Sequence, residues 1–132
     1  MDRAVFVYTT FPSLVEAEAA AKAIVEQRLA ACANILPGMI SHYRWEGKVE
    51  RAEEVVAIFK TRASLADGVS QAICGNHSYD MPAIAVITLE SVDRDYFGWI
   101  LDSTGGDSFG VASGGNQTRL DPSLAPRNDE AQ

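Results

Sequence analysis

Residues 32–61 read CANILPGMISHYRWEGKVERAEEVVAIFKT, and this stretch decides the fold. Between Met39 and Trp45 the chain alternates: Met39, Ser41, Tyr43 and Trp45 fall on one face of an extended segment, Ile40, His42 and Arg44 on the other. Glu46-Gly47 supplies a turn, and a second extended run follows over Glu54 to Thr61. The pattern predicts two long antiparallel strands. Upstream of them, Cys32 to Leu36 reads as a short strand and Pro37-Gly38 as a turn or bulge.

Working outward, Ala4 to Thr10 is a β-branched and apolar run expected as a strand buried on both faces, ended by Pro12. Ser13 stands three residues before Glu16, the capping-box spacing, so a helix is expected over Leu14 to Ala31 with Ala17, Ala20, Ala21, Ile24 and Leu29 inward. The same grammar returns at Thr61 to Asp67, where a second helix capped by Ser64 is expected to run to Gly75 with Leu65, Val69, Ala72 and Ile73 inward. A loop over Asn76 to Met81, a strand over Pro82 to Ser91 and a short helix capped by Asp93 complete the order. The sum is βαββαβ plus a C-terminal helix: an α+β, ferredoxin-like antiparallel sheet covered on one face by helices. Residues 1–104 form that domain, whereas 105–132 turn to Gly, Ser, Asn, Asp and Pro and are expected to be a disordered tail. A glycosylation sequon at Asn116 in that tail is read as chance.

A net charge of -7 argues against nucleic-acid and anionic-membrane partners, which require clustered Lys and Arg. No apolar run approaches the roughly 20 residues of a membrane helix. The first residues carry no charged and apolar leader, and two cysteines do not make a disulfide framework, so a cytoplasmic protein with reduced thiols is expected.

Three kinds of chemistry can be weighed on the residues. For metal, Cys32, Cys74, His77, His42, Met39, Met81 and Asp80 are donors suited to copper or zinc. Cys74-Gly-Asn-His77 is only half a site, however, and Cys32 in an apolar strand reads first as a small core filler. For a small anion, Lys60 is the most informative residue, since it follows the apolar run Val55 to Phe59; the bland alternative is a strand-end lysine reaching water or a carboxylate. For catalysis the signal is poorest. There is no nucleophile with a base at motif spacing and no phosphate loop, and Glu50, Glu53 and Glu54 read as a solvated hairpin face, so a non-enzymatic protein is expected.

Ala31 to Gly38, followed by Ser41-His-Tyr-Arg-Trp-Glu-Gly-Lys48, resembles the CutA divalent-cation tolerance family, as do Leu29-Ala-Ala31, Lys60-Thr61, His77-x-Tyr79 and Trp99-Ile100. The resemblance spans about Val5 to Thr104 and implies a homotrimer that pairs strands across its interfaces, similar in architecture to PII-type signalling proteins. A trimer would also cover the long hairpin edges and the exposed Tyr43 and Trp45. By the same resemblance Tyr43, Trp45, Lys60, His77 and Tyr79 converge as a ligand cleft near a subunit boundary. For a weakly held divalent metal, copper or zinc, the resemblance implies His77 with Asp80 beside it, and His77 and Cys32 are the metal contacts expected. The alternative it implies is a PII-like sensor of a small anionic metabolite. The chain departs from the family at Thr9 and Asn76, where some members carry Cys and His, and at Ser78 and Ala83, in place of a proline and an acid. Those departures argue against a tight structural zinc.

Overall fold

The structure, a computed structural model, describes residues 2–106. The expected tail falls almost wholly on residues 107–132, outside the described residues. Four strands, β1 (Ala4–Phe11), β2 (Cys32–Trp45), β3 (Lys48–Arg62) and β4 (Ile84–Thr88), form one antiparallel sheet in the order β2-β3-β1-β4. Helices α1 (Leu14–Glu26) and α2 (Ala66–Gly75) follow β1 and β3, and α3 (Arg94–Ser103) closes the described chain. This is the ferredoxin-like arrangement expected from the sequence. Among the described residues no helix is long and apolar enough to cross a membrane.

The period-two alternation of the strands sorts their side chains between two unequal faces. Val5, Val7, Phe11, Val55, Ala57 and Phe59 pack under Ala17, Ala20, Ala21 and Ile24 of α1 and Val69 and Ile73 of α2. The alanines let α1 lie close to the sheet. On the opposite face α3 covers one end only, with Ile100 against Ala4 and Ala31 and a fringe of Leu89, Val92, Tyr96, Phe97 and Trp99. The helices are therefore not confined to one face.

Local differences from the sequence reading have physical causes. The short strand and the hairpin are one strand, β2, with an irregularity between Leu36 and Met39. The register advances from Leu36↔Val56 to Met39↔Glu54, which leaves β2 one residue in excess, and Gly38 at φ 89 supplies the left-handed backbone such a bulge needs. The tip is a two-residue turn with Glu46 and Gly47 both at positive φ, whose twist suits a hairpin. Helix α1 stops at Glu26, five residues before the expected end. Arg28 adopts φ 63, its N–H donates to Val25 O, and Leu29 N donates to Ile24 O, a Schellman ending without glycine. Arg28 is held there from afar, donating to Asp102 O and Gly105 O. Ser64 does not cap α2: a 3-10 turn (Ala63–Leu65) intervenes, and Ser64 donates its hydroxyl and N–H to the Asp2 carboxylate instead. Ser13 and Asp93 do cap their helices, accepting from Glu16 N and Tyr96 N. Strand β4 is half the expected length, since it bonds only opposite Val5 to Thr9 and Pro82 has no N–H to offer.

Candidate functional site

β1 ends at Phe11, opposite Val55, yet β2 and β3 continue outward as a two-stranded arm. At the place β1 vacates stands the loop after α2. His77 stacks on the Phe11 ring at 4.5 Å and its side chain is fully buried. Its Nε2 lies 2.6 Å from Thr10 O. A carbonyl can only accept, so Nε2 carries the proton, and Nδ1 accepts from Tyr79 N at 3.1 Å. Glu16, the acid of the expected capping box, does not complete that box. Its carboxylate accepts from Ser78 N at 2.7 Å and lies 3.7 Å from His77 Nδ1. Both imidazole nitrogens are thus engaged, and His77 has no lone pair free for a metal ion.

Tyr79 turns toward the arm. Its hydroxyl donates to Glu54 Oε2 at 3.1 Å, while the Ser41 hydroxyl donates to Glu54 Oε1 at 2.7 Å. Burial, then the hydrogen bond to the Glu54 carboxylate, pushes the Tyr79 phenol up, so it stays a donor at neutral pH. Tyr43 lies further out, and Trp45 at the tip opposite Lys48; both are large and exposed, at 44% and 53%.

Lys60 belongs to a different cluster. It pairs with Cys32 on β2 and Phe6 on β1, and its ammonium sits over the Phe6 ring at 5.2 Å and the Tyr96 ring of α3 at 5.9 Å. Burial pushes the buried Cys32 thiol up, against the pull of the Lys60 ammonium and the Tyr96 hydroxyl. The Tyr96 phenol is itself raised, by burial and by Cys32. Among the described residues no carboxylate pairs with Lys60.

The expected cleft is therefore divided within one chain. His77 and Tyr79 come together beside Tyr43. Lys60 stands four residues back along β1 from Thr10, about 13 Å at strand rise, and ten residues along β3 from the partner of Tyr43, about 33 Å. The two implied metal contacts are separated in the same way, with Cys32 beside Lys60. Among the described residues no group of three or more His, Cys, Asp and Glu side chains could hold a metal ion. Sequence reasoning missed Glu16 and Glu54 as the groups that organise the loop. The signal for Glu54 was present in its parity: it shares a sheet face with Val56, Ile58 and Lys60. Phe6 and Tyr96 needed the register and the docking of α3.

Comparison with known proteins matches this geometry to one group. The family described as CutA1 divalent ion tolerance protein matches residues 5–103. A divalent-cation tolerance protein CutA of Pyrococcus horikoshii is 42% identical over 100 residues, covering 76% of this chain and 97% of that one. The chloroplastic protein CutA 1 of Oryza sativa subsp. japonica is 38% identical over 100 residues, and the chain spans 56% of its length. The crystal structure of CutA from Xylella fastidiosa superimposes with a TM-score of 0.76 at 31% identity, covering 77% of this chain and 98% of that one. The chain belongs to the CutA1 divalent ion tolerance family.

Proposed function

We propose that this protein is a non-enzymatic, cytoplasmic assembly and binding module of divalent-cation tolerance, working as a homotrimer whose arms clasp neighbouring subunits. The observation that carries the reading is the arm itself. Ile40 (49% exposed), Tyr43, Trp45 and Val49 (65%) project on a ribbon in which, among the described residues, β2 and β3 pair only with each other. A two-stranded ribbon is marginal in water, and exposed aromatic anchors on it favour a partner surface. Three copies is the number that the family resemblance implies. Metal contact is weak on this reading, because the thiol of Cys32 is buried and the ring of His77 is occupied. Cys32 and Cys74 are not bonded to each other, as a reducing cytoplasmic setting would leave them. Acrylamide quenching tests the clasp. In a Trp99→Phe background Trp45 should be shielded at working concentration, and quenching as efficient as that of free tryptophan sinks it.

A second reading is favoured by Lys60. An ammonium held over two aromatic rings, with no carboxylate paired to it among the described residues, suits a small anion, as in a PII-like sensor. Thermal shifts with inorganic phosphate and a panel of carboxylates test it. Lys60→Ala should lose any shift that His77→Ala retains, and the reverse result excludes the reading.

A further inference from the structure

The arm has a hinge and a tie at the same level. The bulge between Leu36 and Met39, with Gly38 in the left-handed region, is where β2 can change direction, and the first pair beyond it is Met39↔Glu54. That is where the Tyr79 hydroxyl reaches Glu54, from the side of β3 that β1 leaves open. One carboxylate thus takes a hydroxyl from Ser41 on the arm and another from the loop. The loop is firmly seated at its base: His77 is stacked on Phe11 and bonded to Thr10 O, Ser78 N is bonded to Glu16 at the start of α1, and Tyr79 N is bonded back to His77 Nδ1. A second contact at the hinge, Tyr8 Oη to Met39 Sδ at 3.7 Å, is a weak sulfur bond on the same sheet face as Glu54.

We propose that His77 to Tyr79 is a strap that fixes the angle of the arm, so that the arm meets a second copy of this chain in one orientation. The inference rests on the arm-mediated assembly proposed above. The strap joins two parts that differ in support. Its base lies on the β1–α1 core, and its tip on a ribbon where, among the described residues, β3 pairs with no strand but β2. Tyr79 is the joint, because its phenol reaches the arm with a hydrogen bond to a carboxylate, whereas the other contact across the hinge, Tyr8 to Met39, is a weak sulfur bond. A hydrogen bond to a carboxylate is strong enough, even when partly exposed, to change the opening of so lightly held an element about tenfold.

Hydrogen exchange and a sedimentation dilution series on the full chain test the strap, comparing wild type with Tyr79→Phe and Glu54→Gln. Tyr79→Phe should speed exchange of arm amides over residues 39–54 about tenfold, leave β1 and α1 unchanged, and weaken assembly by a similar factor. Glu54→Gln, which keeps one acceptor oxygen, should fall between the two. A wild-type assembly whose arm exchange and dissociation are unmoved by Tyr79→Phe overturns the strap and leaves the assembly intact. Faster exchange spread over the whole chain overturns it too, since it marks a merely structural role. A monomeric wild type refutes the assembly reading instead, and with it the purpose assigned to the strap.

Discussion

Trp45→Ser separates assembly from folding. Trp45 lies at the arm tip beside the Glu46-Gly47 turn, 53% exposed in the single chain and absent from both apolar cores. A tryptophan side chain offers roughly 150–250 Å² for burial, so about 100 Å² remains to be covered by a partner. At ~25 cal/mol per Å² that burial is worth about 2.5 kcal/mol per contact, somewhat under two factors of ten in dissociation. The figure is an upper bound, because association also orders the arm. The subunit's own stability should move by no more than ~0.5 kcal/mol, as for other exposed positions. Sedimentation velocity over a dilution series reads the first quantity, and urea unfolding at a concentration where the variant is monomeric reads the second. Unchanged dissociation refutes the reasoning, as does a variant that no longer folds, since Trp45 would then belong to the subunit core.

Two further perturbations test the subunit itself. The Thr9 hydroxyl is fully buried with no hydrogen-bond partner among the described residues, so Thr9→Val, which replaces it by a methyl group of similar size, should stabilise the fold by about 1–2 kcal/mol in urea titration; a loss of stability would point to a partner for that hydroxyl in the assembly. For Asp2, burial acts to raise the carboxyl, but the Ser64 hydroxyl and N–H, Arg3 N and the nearby Arg62 guanidinium outweigh it and hold the group below the usual carboxylate range. A depressed folded-state pKa contributes stability above the unfolded value near 4 and loses it as pH falls through the lower folded value. Melting curves of wild type and Asp2→Asn should therefore differ most above the unfolded value and converge as pH falls below it; a gap that widens on acidification contradicts the assignment.

What the sequence could disclose followed from how local each cause is. The βαββαβ order was legible because alternation in Met39 to Trp45 and the apolar stripe of Ala17, Ala20, Ala21 and Ile24 are read within a few residues. The end of α1 was not, because Arg28 takes its left-handed backbone with help from Asp102 and Gly105, far along the chain, while Leu29, Ala30 and Ala31 prolong the apolar pattern. Ser64 looked like a second helix cap until Asp2 claimed it. The grouping of Tyr43, Trp45, Lys60, His77 and Tyr79 shows the same limit. Residue type marked them as candidates, but the register of β3 and the end of β1 put Lys60 with Cys32, Phe6 and Tyr96, and His77 with Phe11 and Glu16. Within one chain Lys60 and Tyr79 line no common cleft.

The central claim is that the arm exists to join subunits, and the solution mass of the purified full chain tests it most directly. Light scattering coupled to size exclusion should return roughly three times 14.2 kDa. A single mass near 14.2 kDa that persists as concentration rises contradicts the account.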